Sequence, residues 1–135
     1  MQRVTEMEDE AIKLYELITG NTVDQVGLCV DNGYAASPDG LVGEDGLIEI
    51  KCPILATHVF YILDGKLPSD YFQQVQGQLL VTGRKWVDFI SHYPAMKPLI
   101  IRVEPDVAFH KALKAELEMF CKELEEITNK LKERA

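Results

Sequence analysis

A glutamate and a lysine, Glu49 and Lys51, interrupt the apolar run 47–52 of this 135-residue sequence. In a strand, successive side chains point to opposite faces, so these two charges would share one face with Leu47. Burying a carboxylate and an ammonium group costs solvation free energy unless they are paired or bind an ion. An exposed edge strand with both charges in water is the simpler interpretation of an isolated Glu-x-Lys pattern.

A second carboxylate lies ten residues before Glu49, at Asp39 in the turn-forming segment 37–40. A short hairpin between the two segments would bring both carboxylates together. Two carboxylates and a backbone carbonyl are the hard oxygen ligands that Mg²⁺ prefers, and Lys51 could orient the attacking water or stabilise phosphoryl charge. The pattern therefore suggests metal-dependent hydrolysis of a phosphodiester.

The elements that must position these residues can be predicted from periodicity and turn residues. Thr5 and Glu8 resemble a capping box that begins a helix, and Gly20 ends it. The pattern predicts a helix over 5–19, strands over 26–30 and 34–37 with a turn at Asp31, Asn32 and Gly33, and a strand over 47–53. It then predicts a short helix within 56–63, a helix over 69–81, strands over 86–93 and 99–103, and a helix from Asp106 to the C-terminus. The predicted fold is α/β or α+β, with a mixed central sheet flanked by helices.

Composition restricts the function classes. The 14 basic and 22 acidic residues leave a net charge of −8, which argues against coating nucleic acid through bulk charge. The three cysteines form no CxxC pair, so reduced thiols are expected. No stretch is long and apolar enough for a membrane span, and no secretory signal is visible, which favours a cytoplasmic protein. An apolar stripe in the C-terminal helix could cover the sheet or contact a partner helix.

The segment SPDGLVGEDGLIEIKCP, residues 37–53, closely resembles the signature of the YqaJ-like viral recombinase and phage lambda exonuclease family, within the PD-(D/E)xK nuclease superfamily. Segments 7–20, 56–58 and 70–86 extend the resemblance over about residues 7–104. It implies a restriction-endonuclease-like core in one domain spanning 1–135, with a C-terminal helix at 106–135. Family members usually carry a basic segment before the first helix, so this chain is either a short member or a piece lacking that segment.

The resemblance also implies roles for individual residues. The metal ligands would be Asp39, Glu49 and the backbone carbonyl of Ile50, with Glu8 as an outer ligand or base. Lys51 would serve the attacking water, and Gln74 would be a polar group that holds the water, the metal or the phosphate. Ser37 and His58 would contact the terminal 5′ phosphate of DNA, and Gln76 would contact DNA or phosphate. Arg84 could contact phosphate too, although a solvated turn explains this arginine equally well.

The function implied is a Mg²⁺-dependent phage-type alkaline exonuclease, with Mn²⁺ as a substitute ion, that digests double-stranded DNA from 5′ to 3′ in recombination. The family further implies a homotrimer, a single-strand annealing protein as partner, and the cytoplasm of a bacterial host as the location. Two alternatives stay open at this point. One is a related endonuclease or end-nonspecific DNA nuclease, and the other is a noncatalytic nuclease-like module that binds DNA or protein.

Overall fold

The computed structural model describes residues 2–25, 29–31 and 34–134. The elements, in chain order, are helix α1 (Gln2–Thr19), strands β1 (Val23–Asp24), β2 (Cys29–Asp31), β3 (Tyr34–Ala36), β4 (Gly40–Val42) and β5 (Gly46–Lys51), helix α2 (Leu55–Asp64), a 3₁₀ turn (Ser69–Tyr71), helix α3 (Phe72–Thr82), strands β6 (Trp86–Ser91) and β7 (Leu99–Val103), and helix α4 (Val107–Arg134). The residues up to Pro105 form one compact unit, and those from Asp106 onward form a second unit that consists of α4.

The first unit is built on a mixed five-stranded sheet in the order β1-β4-β5-β6-β7. Strands β5 and β6 are parallel, with Glu49 opposite Phe89 and Lys51 opposite Ser91, and all other neighbours in this sheet are antiparallel. Strands β2 and β3 form a separate antiparallel pair. Helices α2 and α3 lie in the connection between β5 and β6, as a parallel pair requires a long crossover. The predicted mixed sheet with flanking helices is confirmed.

Each face of the sheet carries its own apolar core. Ile48 and Ile50 of β5 pack with Ala11, Ile12 and Tyr15 of α1 on one face. On the other face, Leu47 packs with the α3 side chains Val75 and Leu79. The alternation predicted from the sequence therefore holds. Strand β5 lies in the middle of the sheet and is almost entirely buried, which excludes the exposed edge strand as an explanation of its charged residues.

Several element boundaries differ from those predicted. Helix α1 begins at Gln2, before Thr5, so the capping-box pattern does not mark its start. The predicted strand over 26–30 corresponds in part to β2, while residues 26–28 and the turn residues Asn32 and Gly33 lie outside the described residues. Strands β1 and β4 were not predicted, because segments of two or three residues are too short to show a periodic pattern.

The later elements agree more closely with the sequence pattern. A 3₁₀ turn occupies 69–71, so α3 begins at Phe72, and Gly83 ends it in the left-handed conformation, donating its N–H to the carbonyl of Leu79. Strand β6 ends at Ser91, two residues earlier than predicted. In the second unit, the apolar stripe of α4 is more than half exposed at Phe120, Leu124, Ile127 and Leu131. Within the described part of the chain, no helix combines the length and apolarity that crossing a bilayer would require.

Candidate active site

The C-terminal end of β5 and the residues just before β4 bring two carboxylates together. Asp39 donates its backbone N–H to the carbonyl of Ile48 at 3.2 Å. Its Oδ2 accepts the backbone N–H of Ile50 at 2.7 Å. These two hydrogen bonds attach the Pro-Asp turn to β5 on either side of Glu49. The structure therefore produces the juxtaposition of Asp39 and Glu49 that the sequence predicted.

Glu49 is the most closely surrounded residue of the site. It is only 4% exposed, although it is a carboxylate. Its Oε1 lies 3.3 Å from the Lys51 ammonium and accepts a hydrogen bond from the Gln74 amide at 3.1 Å. Its Oε2 accepts a hydrogen bond from the Gln78 amide at 2.8 Å. A buried carboxylate needs such partners, and here one cation and two amides supply them.

The Lys51 ammonium is held from a second side by an aromatic ring. Its Nζ lies 4.9 Å from the centre of the Tyr71 ring, within the range of a cation–π interaction. The Tyr71 ring in turn packs against Phe89 at a centroid distance of 5.3 Å. The Lys51 side chain keeps 27% of its accessible surface, so the amine is fixed in place and still open to solvent.

The electrostatics of the site favour a bound cation. Burial raises the pKa of Asp39, while the Ile50 N–H and the Lys51 charge oppose that change. Burial also raises the pKa of Glu49, the Gln78 hydrogen bond lowers it, and the Asp39 charge raises it further. The pKa of Glu8 is raised by its partial burial and by the charges of Asp39 and Asp9. Glu8 thus adds negative potential beside the pair.

The donor set matches a hard divalent ion. Among the residues that the structure describes, no three or more His, Cys, Asp or Glu side chains lie close enough together to hold a metal. The site instead offers two side-chain carboxylates, from Asp39 and Glu49, next to the backbone of Ile50. Mg²⁺ is commonly bound by one or two carboxylates and keeps several of its waters. These residues therefore fit Mg²⁺ better than an ion that needs three or four side-chain ligands.

Three of the four glutamines in helix α3, Gln74, Gln76 and Gln78, have hydrogen bonds on two different sides of the helix. Gln74 and Gln78, four residues apart, lie on the same helical face and both reach Glu49. Gln76 is buried on another side, where its amide donates to the carbonyl of Glu104 at 3.0 Å. The predicted site residue Gln74 is thus at the site, and Gln76 is held away from it. The helical period explains the difference, because residues two apart point in nearly opposite directions.

The predicted DNA-contact residues are dispersed. Ser37 is exposed and lies two residues before Asp39. His58 is fully buried, with Nδ1 2.8 Å from Ser91 Oγ and Nε2 2.9 Å from the carbonyl of Lys97. Neither ring nitrogen of His58 is open to a phosphate in this arrangement. The buried histidine instead connects α2 to the end of β6.

Arg84 lies at the opposite end of the sheet from the carboxylates. Its Nη1 donates to the carbonyls of Gly43 at 2.9 Å and Gly46 at 3.0 Å. Gly46 begins β5 and Lys51 ends it, a separation of about 16 Å at the usual rise of a strand. Arg84 therefore holds the turn between β4 and β5, and the structure does not bring it to the site.

Two residues at the site, Gln78 and Tyr71, were not singled out from the sequence. The spacing of Gln78, four residues after Gln74, was a usable signal, since such pairs share a helical face. Tyr71 gave no comparable signal, because its contact with Lys51 depends on how the 3₁₀ turn packs against β5.

Comparison with known proteins identifies the family and supports the fold. Residues 1–85 match the family model of the YqaJ-like viral recombinase domain. The crystal structure of an alkaline exonuclease, LHK-Exo from Laribacter hongkongensis, is 41% identical, covering 97% of this chain and 71% of its own, with a TM-score of 0.84. The structure of LHK-Exo in complex with dAMP gives 42% identity, 100% and 73% coverage, and a TM-score of 0.85.

A phage-related exonuclease from Haemophilus somnus 129PT is similar in fold alone. It is 17% identical, covers 84% of this chain and 65% of its own, and has a TM-score of 0.66. Comparison with curated proteins found no match.

Proposed function

The chain belongs to the YqaJ-like viral recombinase domain family and is a nuclease of the alkaline-exonuclease type; from this premise we propose that it is a Mg²⁺-dependent exonuclease that hydrolyses double-stranded DNA from 5′ to 3′ in recombination. One observation carries the proposal. Asp39 and Glu49 meet at the end of a central strand, with the Lys51 ammonium 3.3 Å from Glu49. Two carboxylates and a positioned amine are the groups that metal-assisted phosphodiester hydrolysis requires.

In this proposal, one set of residues binds the metal ion and another contacts the attacking water and the phosphate. Asp39, Glu49 and the carbonyl of Ile50 would hold Mg²⁺, with Glu8 adding negative charge nearby. When bound, the ion supplies charge neutralisation at the phosphate and lowers the pKa of a coordinated water. Lys51 orients the attacking water and stabilises negative charge on the phosphoryl oxygens. Gln74 is exposed and within reach of Glu49, so its amide can also contact that water or the phosphate.

Exonucleolytic hydrolysis by this site would release mononucleotides. Water attacks the phosphorus of the first internucleotide linkage, and the P–O3′ bond breaks. The 3′ oxygen takes up a proton and leaves on a mononucleotide that keeps the original terminal 5′ phosphate, while the attacked phosphate becomes the new 5′ phosphate of the shortened strand. The relative LHK-Exo has a crystal structure in complex with dAMP, a deoxynucleoside monophosphate of the kind such a reaction yields. For recognition of the 5′ end, Ser37 is the best placed of the predicted contacts, because it is exposed beside Asp39. The homotrimer and the annealing partner remain proposals from the family resemblance.

The test is digestion of linear duplex DNA with a 5′ phosphate, labelled at either end. Wild type would be compared with Lys51→Ala, in Mg²⁺ and in EDTA. Lys85→Ala is the matched control, because the Lys85 ammonium lies in an exposed ion pair with Asp45 at 3.6 Å. We expect early release of the 5′ label as mononucleotide by wild type and Lys85→Ala. Lys51→Ala, or EDTA, should abolish that release.

Other results would favour one of the alternative functions. Internal cuts that do not depend on a DNA end would identify an endonuclease. Early loss of the 3′ label would show that digestion proceeds from 3′ to 5′. If well-folded wild type shows no metal-dependent cleavage, a module that binds DNA or protein becomes the better conclusion. Light scattering of the purified protein tests the homotrimer separately.

A further inference from the structure

Among the described residues, Gln78 donates a shorter hydrogen bond to Glu49 than Gln74 does, and it does so from inside the protein. The Gln78 side chain is 5% exposed, and its Nε2 lies 2.8 Å from Glu49 Oε2. Gln74, which reaches the other carboxylate oxygen, is exposed. A group as buried as Gln78 cannot contact DNA or the attacking water. Any effect of Gln78 on the reaction must therefore pass through Glu49.

The orientation of the Gln78 amide is costly by itself. Within the described part of the chain, its Oε1 is buried and has no hydrogen-bond partner. Leaving a buried carbonyl oxygen unpaired is unfavourable. The opposite amide orientation would place that oxygen against Glu49 Oε2, and two acceptors would then face each other. The ionised carboxylate thus selects the orientation in which the amide donates.

We propose that Gln78 is a positioning residue of this nuclease, whose buried amide holds Glu49 Oε2 and so keeps the carboxylate beside Asp39 and Lys51, ready to bind a divalent cation. The inference rests on the proposed function and deepens it. Because the amide fixes Oε2, the carboxylate cannot rotate freely about its last side-chain bond, and Oε1 stays directed at Lys51 and Gln74. Replacing a side chain that hydrogen-bonds a metal ligand, and does not touch the metal itself, typically lowers metal affinity or activity by about 10- to 100-fold.

The test replaces Gln78 by methionine, which is unbranched and of similar length but has no N–H donor. Tyr15→Phe is the matched control, because the Tyr15 hydroxyl donates to the buried carboxylate of Asp88. Asp88 lies opposite Ile48 and therefore on the sheet face turned away from Glu49. Both substitutions remove one uncharged donor from one buried carboxylate. Only Gln78→Met alters the carboxylate of the site.

The first readout is Mg²⁺ affinity, measured by calorimetry without DNA. We expect Gln78→Met to weaken Mg²⁺ binding about tenfold or more, while Tyr15→Phe binds like wild type even if both variants lose thermal stability. The second readout is cleavage at saturating Mg²⁺, where Gln78→Met should lower kcat and leave the KM for DNA unchanged. If Gln78→Met is poorly folded, Gln78→Asn retains a polar amide but is one methylene too short, and the same loss of affinity is expected.

The outcomes separate this inference from the function on which it rests. Wild-type Mg²⁺ affinity and kcat in folded Gln78→Met would overturn the positioning role and leave the nuclease proposal intact. An equal loss of affinity in Tyr15→Phe would also overturn it, since the effect would then be general destabilisation. If wild type itself neither binds Mg²⁺ nor cleaves DNA, both proposals fail together.

Discussion

Replacing Asp39 by asparagine tests whether the carboxylate pair destabilises the fold when no metal is bound. Burial raises the pKa of both Asp39 and Glu49, and the Asp39 charge contributes to raising that of Glu49. A carboxyl group whose pKa is higher in the folded state holds its proton more tightly there than in the unfolded chain. The free energy of unfolding therefore falls as the pH rises from the ordinary Asp pKa of 3.8 through the folded-state value. Above that range the full cost is present.

Asparagine removes this cost and keeps the local structure. Its side-chain carbonyl can still accept the Ile50 N–H, which is 2.7 Å from Asp39 Oδ2, and its amide can donate toward Glu49. Because Asp39 is only partly buried, water screens much of the charge, and loss of the Lys51 attraction offsets some of the gain. We expect a net stabilisation of about 1 kcal/mol at mildly alkaline pH without metal. That corresponds to a rise in Tm of roughly 3 to 6 °C for a domain of this size.

With Mg²⁺ present, wild type should be more stable than the Asp39→Asn variant. Wild type gains about 2.7 kcal/mol when Mg²⁺ is present at a hundred times its Kd. The Asn variant lacks one of the two carboxylates that would hold the ion, so it should gain far less. Urea denaturation followed by circular dichroism, in EDTA and in Mg²⁺, measures both effects. Asp45→Asn is the control, since Asp45 is an exposed carboxylate in a surface ion pair and should change little.

A lower stability of Asp39→Asn than of wild type in EDTA, at mildly alkaline pH, would refute the electrostatic reasoning. The stabilisation should also diminish toward the ordinary Asp pKa, where the carboxyl of wild type becomes protonated in both states. A gain that persists unchanged at acid pH would point to a cause other than charge.

Three further substitutions distinguish a residue that acts in the hydrolysis from residues that hold the surrounding structure in place. Lys51→Met should lower kcat by roughly 10²- to 10⁴-fold and preserve stabilisation by Mg²⁺ in denaturation experiments, and a wild-type kcat would remove Lys51 from the mechanism. Tyr71→Leu removes the ring 4.9 Å from the Lys51 ammonium, so steady-state kinetics should show a drop in kcat of roughly 2- to 30-fold at constant KM. If KM rises instead, Tyr71 contacts DNA. Arg84→Ala loses two hydrogen bonds to the turn before β5 and should cost about 1–3 kcal/mol in urea denaturation, with DNA affinity unchanged at every salt concentration. A shallower salt dependence of DNA binding in this variant would show that Arg84 contacts phosphate.

The elements that carry the carboxylates and the amine could be predicted because their signals are local. The alternation of β5 follows from the geometry of any extended strand, and this geometry alone separates Glu49 and Lys51 from Ile48 and Ile50. The turn at Asp39 is encoded by its Pro and Gly neighbours. The C-terminal end of α3 and the presence of β6 and β7 follow from similar short-range patterns.

The positions of the supporting residues could not be predicted, because they depend on contacts between segments distant in sequence. His58 reaches Ser91 and Lys97 across 33 and 39 residues, and Arg84 reaches Gly43 across 41. No local pattern distinguishes a buried histidine from one that binds phosphate, or an arginine that holds a turn from one that contacts DNA. Burial decides between these roles, and burial is a property of the packed sheet and helices.

The family, the mixed sheet and the placement of Asp39, Glu49 and Lys51 on adjacent segments could be predicted from the amino-acid sequence, because turn chemistry, strand alternation and the signature 37–53 are all short-range. The folded structure was needed to show that Gln78 rather than Gln76 reaches Glu49 and that Tyr71 lies against Lys51. These contacts are not local, because desolvation and hydrogen bonding at a buried carboxylate depend on which distant side chains the fold packs around it.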